Sequence, residues 1–97
     1  MIIRIGLYDW ELLFVSKEEI NGSDGQTRCN DFKILIRDDL NERAQRIVIT
    51  HEIVHALLDT QGRVYQRKFD LEEVCELVAW KLPEINQILE TIERNTK

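Results

Sequence analysis

His51 and His55 are the only histidines in the chain, and they stand four residues apart with Glu52 directly after the first. The segment His51-Glu52-Ile53-Val54-His55 is an HExxH pattern. On a helix, four residues make slightly more than one turn, so both imidazoles project from one face. Two ring nitrogens so placed can grip one Zn²⁺ at about 2.0–2.1 Å. Glu52, beside the first ligand, can reach water held at the metal and take its proton as that water attacks a carbonyl. The chemistry expected of this pattern is metal-assisted hydrolysis, with His51 and His55 as ligands and Glu52 as general base.

Chance alone rarely writes this pattern. Two histidines in 97 positions fall four apart in about 2% of arrangements, and with eleven glutamates the required Glu follows in about a ninth of those. The plain alternative is a pair of hydrogen-bonded core histidines beside an exposed glutamate. Ionisable groups in the middle of an apolar helix need a reason, because burying them unpaired is costly, and a metal supplies one.

A catalytic zinc usually takes three protein ligands and keeps one open position. With no third histidine, the remaining ligand must be Cys, Asp or Glu. The run Leu71-Glu72-Glu73-Val74-Cys75-Glu76-Leu77-Val78-Ala79-Trp80 reads as a helix. It puts Glu72 and Glu76 one turn apart on one face, beside Cys75 and Ala79. Leu71, Val74, Val78 and Leu82 make the more apolar side. Glu73 points about 100° away. The plain reading of these acids is helix N-terminal charge on a solvated face. With HExxH upstream, one of them is expected as the third ligand, ahead of Cys75, Asp59 or Asp70. Cys75 is expected as a small buried side chain. Tyr65 and Tyr8 could stabilise an oxyanion by residue type, and otherwise are packing tyrosines.

The elements that must position these groups divide the chain in two. Ile2-Ile3-Arg4-Ile5, residues 10–15 and Phe32-Lys33-Ile34-Leu35-Ile36-Arg37 carry the short apolar and β-branched runs of strands. Asn21-Gly22-Ser23-Asp24-Gly25 reads as a turn or loop. Asp39 or Asn41 can cap a helix running to about Thr60, with Glu42 in its first turn. Ile47, Val48, Ile49, Ile53, Val54, Ala56, Leu57 and Leu58 make that helix apolar on nearly every side, so it is expected to be wrapped by the rest of the domain. Gly62 allows a reversal after it. A second helix runs from after Asp70 to Leu82, and Pro83 can open a third that continues to about Arg94. The expectation is a single α+β domain over residues 1–97, with a small antiparallel sheet of about three strands followed by about three helices.

Bulk properties agree with this and exclude other classes. The chain is 43% apolar and 32% charged, with net charge −5 and no basic stripe, so phosphate-backbone binding is not expected, and a protein or peptide partner is. No apolar run approaches the ~20 residues of a membrane span. Met1-Ile2-Ile3-Arg4-Ile5-Gly6 is too short and too polar for a signal peptide. The protein is expected to be cytoplasmic, with Cys29 and Cys75 as free thiols.

From about residue 29 to residue 83 the chain resembles the ImmA/IrrE family of small zinc metallopeptidases, especially compact versions from phages and other mobile elements. The match rests on a strand followed by Thr50-His51-Glu52-Ile53-Val54-His55-Ala56-Leu57 and on the later helix. In the family that helix carries a Glu, a small residue three on, Asn or Asp four on, then an apolar-Ala pair. Setting Val78-Ala79 on that pair places Glu72 on the family's ligand position, Cys75 on the small position and Glu76 on the Asn/Asp position. Glu76 departs from the family there, and the gap between the two helices is short, which keeps Glu76 as the alternative ligand. The resemblance implies a zincin-like domain, metal ligands His51, His55 and Glu72, and an endopeptidase acting on a cytosolic protein such as a mobile-element regulator. The competing function is a non-catalytic, zinc-containing protein-binding module, against which the retained Glu52 argues. A metal-free helical scaffold would require the motif to be accidental.

Overall fold

In a computed structural model of the chain, residues 1–60 and 71–96 are described. Two strands open the fold, β1 (Ile2–Ile5) and β2 (Tyr8–Val15), paired antiparallel with Ile5 opposite Tyr8. The two-residue turn between them begins with Gly6 at φ 62°, the positive φ that such hairpin turns ask of their first central residue. A 3₁₀ turn at Lys17–Ile20 leads to β3 (Gly25–Arg28), and a second at Cys29–Asp31 leads to β4 (Lys33–Arg37). The sheet order is β1-β2-β4-β3.

The sheet therefore has four strands rather than three, and it is mixed. β3 pairs antiparallel with β4 at the sheet's edge, and β4 returns beside β2 in parallel. β3 is the strand that sequence patterning does not reveal. Its four residues, Gly25-Gln26-Thr27-Arg28, hold no apolar side chain, so no alternation marks them. Their pairing with β4 sets the direction of the following strand and so makes the β2–β4 pair parallel.

Alternate strand residues point to the helices: Ile3 and Ile5, Trp10 and Leu12, Ile34 and Ile36 are all buried there. α1 (Glu42–Thr60) meets them with Ile49, Ile53, Ala56 and Leu57, a stripe at helical spacing. α2 (Leu71–Thr96) adds Ile85, Ile88, Leu89 and Ile92. On the other face of the sheet Leu35 is buried, and the turn carrying the buried Ile20 lies against β4.

Two helix expectations are corrected. The helices number two among the described residues, because α2 runs unbroken through Pro83. An interior proline costs about 3 kcal/mol. Four buried apolar residues beyond it, each contributing about 1.5–3 kcal/mol, outweigh that cost and hold the helix in one piece. α1 is also not wrapped on every side. Its buried stripe occupies one face, while Ile47 is 62% exposed. The first half of α2 buries even less: from Glu72 to Glu84 no side chain is buried, and Trp80 is 78% exposed. Among the described residues no helix is long and apolar enough to cross a membrane. The expected reversal at Gly62 lies outside the described residues.

Candidate metal centre

α1 is started by Asn41. Its Oδ1 accepts from the backbone N–H of Ala44 at 2.8 Å, and its carbonyl accepts from Gln45 N–H at 2.8 Å. This resolves the choice of cap in favour of Asn41 over Asp39. Asp39 is instead bonded to Arg37, whose guanidinium holds the Asp39 carboxyl below the usual carboxylate range.

Counted from that cap, the helical repeat decides which side chains turn inward. Ile49, Glu52, Ile53, Ala56 and Leu57 fall on the buried side, and His51 and His55 fall on the open side. The two rings meet edge to face, with centroids 4.8 Å apart and planes at 71°. Their Nε2 atoms are 3.1 Å apart. Two nitrogens each about 2.05 Å from a common ion and separated this far subtend roughly 100° at it, close to tetrahedral. The donor pair fits one zinc ion. Without a metal, the same spacing suits one N–H donating to the other ring's lone pair.

The plain alternative is reversed by the burial. The histidines are exposed, with the His51 side chain 67% accessible, and Glu52 is the buried member at 6%. Glu52 is the only charged side chain buried among the described residues. A buried carboxylate needs partners, and β3 supplies one. The Thr27 hydroxyl lies 2.9 Å from Glu52 Oε1 and 3.2 Å from the Glu52 carbonyl. Glu52 Oε2 lies 3.9 Å from His51 Nε2. Gly25 makes room for this packing. A Cβ there would come within 2.7 Å of Val48 Cγ1 and 3.3 Å of Glu52 Oε2. Thr27 and Gly25 are missed by sequence reasoning, since nothing local announces a contact across 25 residues.

The other candidates are spread out. Glu72 and Glu76 are exposed on the first turns of α2. Among the described residues, no third His, Cys, Asp or Glu stands with the histidine pair as a metal-holding group. Cys75 is exposed, which corrects the expectation of a buried small side chain. Asp59 lies one turn beyond His55, with its carboxylate near the thiol of Cys29, the residue just after β3. Burial first, and Asp59 second, push that thiol above its ordinary range. Tyr8 is half exposed at the start of β2, its ring 5.0 Å from that of Phe32. Asp70 and Tyr65 lie outside the described residues. A cavity of about 1040 Å³ between α1 and α2 is walled by Phe14, Arg46, Ile49, Leu89 and Glu93, and neither histidine lines it. The chain matches no family model, no curated protein and no solved structure.

Proposed function

We propose that the protein is a zinc-dependent endopeptidase, with His51 and His55 as metal ligands, Glu72 completing the shell and Glu52 as general base. The observation that carries this reading is the pairing of two exposed imidazole nitrogens at 3.1 Å with a buried carboxylate beside them. A site built only to bind metal has no use for that carboxylate. Bound zinc would supply Lewis-acid activation of water and of the scissile carbonyl. Glu52 Oε2, on the histidine side, would take the proton from the attacking water and pass it to the leaving amine. The open face of the histidines leaves room for a polypeptide. β3 borders it as an edge strand, and an extended peptide could pair there. The resemblance to ImmA/IrrE peptidases adds a substrate class, a cytosolic regulatory protein of a mobile element, and a cytoplasmic location.

A second reading is a zinc-containing module that binds a protein without cleaving it. The exposed Trp80 and Leu82 on α2 favour it, as does the lack of a third donor beside the histidines among the described residues. The deciding experiment is elemental analysis of untagged protein, followed by a peptide-cleavage screen. One zinc per chain, absent from the His51→Ala, His55→Ala double variant, is expected. Full zinc in the double variant would end both readings. Zinc without cleavage of any peptide would leave the binding module.

A further inference from the structure

The base carboxylate is held by a residue that the HExxH pattern does not contain. We propose that Thr27 is the positioning residue for Glu52, pinning Oε1 so that Oε2 is the oxygen presented toward His51. The inference rests on the peptidase reading and deepens it.

The geometry is specific. A buried glutamate at mid-helix has several rotamers, and the two carboxylate oxygens are chemically equivalent until something distinguishes them. The Thr27 hydroxyl does so, donating to Oε1 at 2.9 Å. Thr27 pairs with Ile34 in β4, so its own backbone is fixed by the sheet. As a β-branched residue it has a stiff χ1, which holds the hydroxyl oxygen in place, nearer to Oε1 at 2.9 Å than to the Glu52 carbonyl at 3.2 Å. Gly25 lies two residues earlier on the same strand face and lets Glu52 Cγ approach to 3.1 Å of where a Cβ would be. Together they form a seat for the glutamate: Gly25 gives it space and Thr27 gives it direction. A carboxylate satisfied only for burial could take its hydrogen bond on either oxygen. Here the bond is on Oε1, and Oε2 is the atom 3.9 Å from His51 Nε2.

The test compares Thr27→Val, which keeps the shape and removes the hydroxyl, with Thr27→Ser, which keeps the hydroxyl. Hydrolysis is read on a quenched-fluorescence peptide library, zinc affinity by competition with a chelator. The carboxyl carbon of Glu52 is read by NMR in metal-free protein with ¹³C-labelled glutamate, assigned by its loss in Glu52→Gln. For Thr27→Val, kcat should fall about 10–100-fold, as expected when a reacting group is misplaced, with KM and zinc affinity little changed. The Glu52 signal should move and broaden, and Thr27→Ser should restore both. Wild-type kcat with an unmoved carboxyl signal in Thr27→Val would overturn the proposal, as would a loss that Thr27→Ser fails to restore. Should Thr27→Val not fold, Thr27→Ala against Thr27→Ser makes the same comparison. If the wild type cleaves nothing in the library, the peptidase reading fails, and the carboxyl signal alone then decides whether Thr27 places Glu52.

Discussion

Glu52 Oε2 stands 3.9 Å from His51 Nε2, while its sister oxygen Oε1 receives the Thr27 hydroxyl at 2.9 Å. One buried carboxylate thus has one oxygen bonded by the strand's hydroxyl, while the other lies beside Gly25 of the same strand and is the oxygen nearer His51. This asymmetry makes Glu52→Gln a clean test. The amide oxygen can take the place of Oε1 and keep the Thr27 bond, and the NH₂ then occupies the Oε2 position, where it cannot accept a proton. Zinc content and melting temperature should stay close to wild type. Hydrolysis should fall by about 10²–10⁴-fold, the usual contribution of a general base. Turnover at the wild-type rate would show that another group takes the proton.

The third ligand can be found by titrating variants against a competing chelator. Glu72→Ala should weaken zinc binding by at least the roughly 10–100-fold typical of losing a residue that merely orients a ligand. Glu76→Ala should cost less, and Glu73→Ala little. If Glu76→Ala is the worst, the ligand lies one turn further along α2. If none matters, Asp59→Ala and Cys75→Ala come next. Asp59 lies near the Cys29 thiol and would have to turn from it to reach the metal.

Local features are the ones the sequence makes legible. The HExxH helix, a cap at Asp39 or Asn41 and the strand runs each depend on neighbours within about a turn or a pleat, so residue type and spacing reveal them, and the structure chooses Asn41. Pro83 misleads because its preference for a first turn is local, whereas the stripe of Ile85, Ile88, Leu89 and Ile92 that keeps α2 continuous is held by the sheet. The apolar sides of α1 mislead similarly. Composition shows that Ile47 is apolar, and only tertiary packing decides that it stays exposed while Glu52 goes in. The seat for Glu52 is least legible of all. Thr27 and Gly25 belong to a strand with no apolar residue, set against a helix they cannot specify from their own neighbourhood.

Gly25 should tolerate no side chain, for reasons of space alone. An added Cβ would stand 2.7 Å from Val48 Cγ1, and Val48 is β-branched and cannot easily rotate away. Gly25→Ala should destabilise the fold by about 1–3 kcal/mol through overpacking. Adding Val48→Ala removes the obstructing methyl, so the double variant should lose less than the two single losses combined. Chemical denaturation of all four proteins gives the coupling. Strict additivity would mean that the two residues do not press on one another.

The two thiols should separate by pH. Cys75 is exposed and Cys29 is partly buried against the core with Asp59 beside it. Burial, and then the Asp59 carboxylate, disfavour the Cys29 thiolate, so its folded-state pKa lies above that of the unfolded chain. The folded state binds this proton more tightly, so the stability it contributes is fully present below the unfolded thiol pKa. It is lost as pH rises through the higher folded value, on the alkaline side of the ordinary thiol range. Iodoacetamide is attacked by thiolate, so at neutral pH Cys75 should be alkylated first, and Cys29 should lag until the solution is distinctly alkaline. Asp59→Asn removes the neighbouring charge and leaves the burial. It should speed Cys29 alkylation without bringing it to the Cys75 rate, because burial is the larger cause. Mass spectrometry of the labelled peptides over a pH series reads both sites at once. Equal rates at neutral pH would show that Cys29 is neither shielded nor held protonated by Asp59.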